Sequence, residues 1–513
     1  MRNDAIVRAL ELLTSSEVAR CDIPELMGAL GCALYARQNF NSSKTLDEIL
    51  SKADYELKLL HCGGCENKCA VSRYKFANGK IYFAGNRCEK IFTNGKSDVH
   101  SENIYDVKNE LLFKRTSQSA HGPVIGIPRC LNMYEDYPFW HALFTSCGMT
   151  VVLSGPSNMA EYEKCARQVM SDNICFPAKL VHAHIENLVE RKVDRIFLPY
   201  VVFEKNNGGQ NSYNCPIVTA YSEVIKGVGH GEVKIDTPLI SFKDRSLLYK
   251  QCERYLTGLD VEKKTIRKAF EAAEKSQMEY VRNIVKRNRD ILKSAIENNR
   301  PLVLLAGRPY HSDALIQHKI SNAIASMGVY VISDDIARFE EADFNDVHFL
   351  AQWAYPNNIL RAAKWCAGLE RNIPFVQMTS FGCGPDAFLL DEVADVLERA
   401  GKTFTLLKLD DINNIGSMKL RVRSLLESLK YANSKRNRAC RDFVTSAPYE
   451  GKKSRRKLLA PFFTPFISPL LPSILESAGY ELEILPMSDE ISGEFGLMYA
   501  NNEVCYPATL IVG

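Results

Sequence analysis

The sequence predicts an α/β protein in which two related doubly wound, Rossmann-like parallel-sheet units follow a small cysteine-rich hairpin module. Three observations carry that prediction. From about residue 120 onward, short apolar strands alternate with amphipathic helical stretches. Four cysteines, Cys62, Cys65, Cys69 and Cys88, flank the turn dipeptide Asn78-Gly79. The phrase Asp172-Asn173-Ile174-Cys175-Phe176-Pro177-Ala178-Lys179-Leu180 returns near the end as Asn501-Asn502-Glu503-Val504-Cys505-Tyr506-Pro507-Ala508-Thr509-Leu510.

Composition sets the limits. A chain of 513 residues that is 46% hydrophobic can bury several cores, so roughly three or four domains are expected. With 64 basic and 61 acidic residues the net charge is +3, which favours neither nucleic acid nor membrane as a partner. The runs Lys435-Arg436-Asn437-Arg438 and Lys452 to Lys457 read as solvated linker. Sixteen cysteines in a chain of this size, without a secretory signal, point to reduced thiols and metal ligation in a cytoplasm. No apolar stretch reaches the roughly 18 residues a membrane span requires.

In order, residues 1–50 read as helices over Val7–Leu13 and Pro24–Tyr35, the second rich in glycine and alanine for close packing. Residues 51–115 form the cysteine-rich module. Tyr74–Phe83 alternates around Asn78-Gly79, a strong short hairpin signal. A first α/β unit spans 116–240: strand Val124–Ile127, helix Tyr137–Ser146, strand Thr150–Leu153, helix Ala178–Arg191 and strand Val193–Leu198. Cys215-Pro216 opens what reads as an extended stretch, Ile217-Val218-Thr219. Residues 241–300 connect, with a long charged helix over Asp260–Asn299 that either packs along the first unit or acts as a spacer. A second α/β unit spans 301–432, with strands Leu302–Ala306, Val329–Ile332, Phe375–Met378 and Phe404–Leu409. A basic linker over 433–457 leads to 458–513, which reads as the truncated start of a further unit opened by Cys505.

Two metal or cluster sites follow from the thiols. Proline just after Cys175 suits the first turn of a helix, and a helix N-terminus stabilises a thiolate. In parallel sheets ligands sit beyond the carboxyl ends of strands, where Cys383 lies. Cys175, Cys215 and Cys383 are therefore expected to converge, with sulfurs roughly 6–8 Å apart, on an iron–sulfur cluster of the 4Fe–4S kind. Cys62, Cys65, Cys69 and Cys88 form a separate set that resembles a four-cysteine zinc ribbon and also suits a cluster. Arg308 and His311 follow strand Leu302–Ala306. Arg308 suits a phosphate or thioester oxygen, or a carboxylate at a strand end, and His311 suits proton transfer. His182 and His184 stand two apart on a predicted helix and so do not share a face for a metal. Cys21, Cys32, Cys130, Cys147, Cys165, Cys252, Cys366 and Cys440 are scattered and read as buried or free thiols.

Pro24–Ala29, Gly126-Ile127-Pro128-Arg129, Tyr137-Pro138-Phe139-Trp140, the Cys175 phrase, Arg308-Pro309-Tyr310-His311 and Ser380–Asp386 together resemble one family. It is that of the large activase-related proteins of 2-hydroxyacyl-CoA dehydratases and benzoyl-CoA reductases. The resemblance runs from about residue 5 to the end. It implies actin-like ATPase domains upstream, with residues 1–50 as their last helices, and cluster-ligating dehydratase-like domains after them. The cysteine positions that match are Cys175, Cys215, Cys383 and Cys505. The implied function is an iron–sulfur component of ATP-driven electron transfer, working with an acyl-CoA dehydratase or reductase and with actin-like ATPase activator domains. The phosphate-binding loops of that family are missing here, so ATP hydrolysis by this chain is not expected. The alternative is a zinc-ribbon α/β binding scaffold without redox activity.

Overall fold

A computed structural model of the chain describes residues 4–19, 21–23, 26–39, 45–50, 54–63, 68–86, 91–92, 101–117, 122–171, 174–205, 211–229, 233–348, 351–380, 382–409, 415–431, 457–500 and 506–513. They divide into two compact units, Met1–Leu60 with Ser72–Ala84, and His61–Val71 with Gly85–Gly513.

The first unit holds helices Asp4–Thr14, Met27–Asn39 and Leu46–Leu50. Met27–Asn39 buries none of its side chains. Strands β1 (Tyr55–His61), β2 (Ala70–Phe76) and β3 (Ile81–Ala84) form one sheet in that order. β2 pairs antiparallel with β3 from Ser72↔Ala84 to Lys75↔Ile81. Gly79 supplies the left-handed residue of the turn at φ +78°, and the Asn78 side chain accepts from the Lys80 amide at 2.9 Å.

The second unit is α/β, with two four-stranded parallel sheets. One contains β4 (Val124–Ile127), β5 (Thr150–Leu153), β6 (Arg195–Phe197) and β8 (Lys234–Asp236), in the order β5-β4-β6-β8. The other contains β10 (Leu302–Ala306), β11 (Tyr330–Ser333), β12 (Phe375–Ser380) and β13 (Phe404–Leu409), in the order β11-β10-β12-β13. Both sheets start from an inner strand, so the strand order reverses beside β4 in one and beside β10 in the other. Shorter parallel pairs are β7 (Tyr200–Phe203) with β9 (Leu239–Ser241), and β14 (Leu458–Ala460) with β15 (Leu482–Ile484).

Leu302–Ala306 is buried along its whole length, as a continuous apolar run covered on both faces should be. In β4, Gly126 permits a close approach: a Cβ there would meet Val193 Cγ2 at 2.9 Å and two Leu188 methyls at 3.3 Å. Helix Lys263–Glu297 is packed at both ends and is not a spacer. Ile266, Ala269, Phe270 and Ala273 join one core, while Tyr280, Ile284, Ile291 and Ala295 join the other. The first of these cores is aromatic, with Trp140 4.7 Å from Phe197 and 4.9 Å from Phe139 between ring centres.

The close packing expected of the Gly- and Ala-rich helix is not seen among the described residues, where Gly28 and Gly31 have open space around them, and the reading of the Cys215 stretch is overturned. The stretch after Cys215 is not extended: Pro216–Val228 is a helix, with Cys215 as its N-cap. The β-branched run Ile217-Val218-Thr219 suggested a strand, but burial follows Val218, Tyr221, Ser222 and Ile225, which is helical spacing. Tertiary packing overrides local propensity there. Cys505 and the basic stretch 433–456 lie outside the described residues.

Replacing Gly126 with alanine forces Leu188 and Val193 away from β4. The expected cost is about 1–3 kcal/mol, read as a lower denaturant midpoint at unchanged slope. An unchanged midpoint would show that the helix does not lie tightly on the strand.

Candidate cysteine site

Cys175, Cys215 and Cys383 occupy the same local position. Each is the N-cap of a helix, respectively of Phe176–Glu190, Pro216–Val228 and Gly384–Arg399. Each has extended backbone angles and is followed by proline within the first two helical positions. The Cys215 sulfur accepts from the Val218 amide at 3.5 Å. All three are half-buried.

Polar contacts between distant segments fix these helices. His182 Nε2 and the Tyr221 hydroxyl are 2.9 Å apart, which joins helix Phe176–Glu190 to helix Pro216–Val228. His184 instead meets Ser154 at 2.9 Å through Nδ1 and Ser157 at 3.0 Å through Nε2. The third helix is tied by Asp386 in its first turn. Arg308, in the loop after β10, donates to Asp386 Oδ1 from Nη2 at 2.6 Å and from Nε at 3.1 Å. Thr379 of β12 donates to the other carboxylate oxygen at 2.7 Å. Arg308 is 3% exposed and Asp386 1%. Any substrate role for Arg308 would require this pair to open. His311 is fully buried, with Nδ1 accepting from the Arg308 amide at 3.1 Å and Nε2 facing Ser380 Oγ at 3.4 Å. Burial lowers its pKa to about 3, with Arg308 acting in the same direction, so the ring is neutral at physiological pH.

Tyr310 marks the common ground of the three thiols. Burial raises its hydroxyl pKa first, and Cys383, Cys215 and Cys175 all add to the rise while Arg308 opposes it. Burial also pushes the Cys175 thiol up to about 11, with Cys215 adding to the shift. Cys383 is raised well above the ordinary thiol value, again first by burial, with Asp386 and Cys215 adding and Arg308 opposing. For Arg308, burial favours deprotonation, but Asp386, Cys383, Tyr310 and Cys215 outweigh it and hold the guanidinium charged. The three thiols thus share one electrostatic neighbourhood with a buried cation.

This donor set fits a group that takes thiolate ligands: the helix N-termini and Arg308 favour thiolates, while burial raises the Cys175 and Cys383 thiols. Among the described residues, no three His, Cys, Asp or Glu side chains could hold a single metal ion. Thiolates on different irons of a cluster stand further apart than ligands of one ion. In the other cysteine set, the Cys62 amide donates to the Cys69 carbonyl at 2.9 Å, and Cys69 is buried. Cys65 and Cys88 lie outside the described residues. Among the scattered thiols, Cys130, Cys165, Cys252 and Cys366 are buried and Cys21 and Cys32 exposed. Sequence reasoning did not single out Tyr310 or Asp386, although both lie in phrases that carried the resemblance.

Asp386→Asn strands the Arg308 charge, so a loss of about 3–5 kcal/mol is expected in denaturant unfolding. The same change removes a negative charge beside Cys383, so its thiol should ionise at lower pH. Alkylation of Cys383 by iodoacetamide, followed across pH by mass spectrometry, should show its midpoint move down. A midpoint that moves up would contradict the placement of Asp386 beside the thiol.

Residues 124–336 match the family model described as the CoA enzyme activase uncharacterised domain, a span that includes Cys175, Cys215, Arg308 and His311. No curated protein matches the chain. Among solved structures, one titled "Crystal structure of ZnuA" matches at 10% identity over 61% of this chain and 100% of its own. Its TM-score of 0.19 is too low to support an argument about fold or function. No helix among the described residues is long and apolar enough to cross a membrane. Residues 124–336 of this chain carry a CoA enzyme activase-related domain.

Proposed function

We propose that the chain is an iron–sulfur component of an ATP-driven electron-transfer system that serves enzymes of the 2-hydroxyacyl-CoA dehydratase or benzoyl-CoA reductase type. The reading is supported by three helix-capping thiols, Cys175, Cys215 and Cys383, that all act on the buried Tyr310 hydroxyl. The match of residues 124–336 to an activase-related domain supports it. In this reading the two four-stranded sheets are doubly wound units, and the cluster lies at the end of the second sheet where its strand order reverses.

Cys175, Cys215 and Cys383 would hold a 4Fe–4S cluster, and Cys505 opens a matching segment in sequence. When bound, such a cluster supplies one-electron transfer. The chain's own contribution is to exclude water and to orient the thiols by helix capping. Arg308 adds a fixed positive charge held in place by Asp386. The partners are an acyl-CoA dehydratase or reductase and actin-like ATPase activator domains. Cys62, Cys65, Cys69 and Cys88 are proposed as a zinc site, supported by the backbone link between Cys62 and Cys69.

Iron, sulfide and zinc analysis of anaerobically purified full chain tests this directly. About four irons and four sulfides per chain are expected, with brown colour. Cys175→Ser, Cys215→Ser and Cys383→Ser should each lose most of the iron, while Cys62→Ser should lose zinc and keep it. A colourless protein containing only zinc would favour the scaffold alternative, and iron unaffected by all three substitutions would overturn the ligand assignment.

A further inference from the structure

A second feature of the α/β unit shares no residue with the cysteine site. A cleft of about 580 Å³ has Asp136, Glu204 and Tyr355 among its lining, with Phe139 and Phe242 as aromatic wall. Its volume is that of a small-molecule site. Asp136 is 4% exposed and Glu204 6%. Glu204 Oε1 accepts from Asn214 at 2.7 Å and from the Tyr355 hydroxyl at 3.2 Å, and Oε2 has no donor among the described residues. Asp136 Oδ2 accepts from Asn132 at 3.2 Å, and Oδ1 likewise has no donor among them.

Most of the cations facing these acids are already engaged. Arg338 donates to Glu135 at 2.6 and 2.7 Å and to Asp335 at 2.8 and 3.0 Å. Lys108 is bound to Asp335 at 2.8 Å, and Arg245 to Glu274 at 2.7 and 2.8 Å. Lys243 lies 4.8 Å over the Phe203 ring, and Lys205 is exposed on the lining. The floor therefore presents two nearly buried carboxylates beyond those the fixed cations satisfy. We propose that this cleft binds a small organic cation, a primary ammonium or guanidinium on an apolar body, between Asp136 and Glu204. The apolar body packs against Phe139 and Phe242, and the N–H groups fill the two open carboxylate oxygens. A metal ion fits less well, since no ion-holding group of acids is found among the described residues.

The protonation states agree with this assignment. Burial first, then neighbouring carboxylates, holds Asp136 well above the usual carboxylate range and brings Glu204 to about 7. A bound cation takes the place of those protons, so binding strengthens as pH rises through the carboxyl pKa values and is lost as pH falls below them.

Calorimetric titration of the full chain with benzylamine, and separately with agmatine, tests the proposal. Saturable binding of at least one amine is expected near about pH 8.5, weakening by roughly tenfold or more near about pH 6. Asp136→Asn and Glu204→Gln each keep an acceptor for their existing donors, and each should weaken binding by at least roughly tenfold. No saturable binding of either amine by the unsubstituted chain at the higher pH would overturn the proposal. So would binding of equal strength at both pH values, or saturable binding of magnesium chloride with neither amine bound. Should a variant fail to fold, the pH dependence of the unsubstituted chain still decides the matter.

Discussion

The Arg308–Asp386 ion pair is the constraint around which the cysteine site is arranged. It joins the loop that leaves β10 to the first turn of the helix that follows β12, and these two strands are neighbours. A buried pair of this kind adds little net stability against an apolar replacement, yet it strands a charge when either partner is lost. Its value lies in position. The pair fixes a cation near Cys383 and Cys215 and sets the register of the Cys383 helix against the sheet. Thr379 completes the carboxylate's hydrogen bonds, so the acid is held below its ordinary range: burial alone would raise it, but Arg308 and Thr379 prevail.

The thiols are held between two opposed effects. Each caps a helix, where the macrodipole favours the anion, and at Cys175 and Cys383 burial disfavours it. For Cys175 and Cys383 burial prevails while no positive charge is bound. In the proposed reading a metal centre would reverse the balance by supplying that charge, with its binding coupled to proton release.

The fold was legible where one segment contained its own signal. Leu302–Ala306 read as a buried strand because both faces are covered, and Asn78-Gly79 read as a turn because glycine supplies the required positive φ. The Cys175 helix was legible from its proline. The same proline signal stood at Pro216 and was masked by the β-branched residues after it, which is why Cys215 was placed at a strand rather than at a second helix N-terminus. The cleft was not legible. Glu135, Asp136, Glu204 and Arg338 come from distant parts of the chain, and their elements are joined by the packing of long helix Lys263–Glu297 across both cores and by contacts such as Tyr355 with Glu204. Acids inside the otherwise apolar helix Met133–Ser146 were the one local hint.

The claim that three separated cysteines serve one iron centre is tested most directly by X-ray absorption at the iron edge of the anaerobically reconstituted chain. The account predicts a sulfur shell with iron–iron scattering, lost when Cys175, Cys215 and Cys383 are replaced together by serine. Iron surrounded only by oxygen and nitrogen, or a sulfur shell that survives that triple replacement, would contradict it.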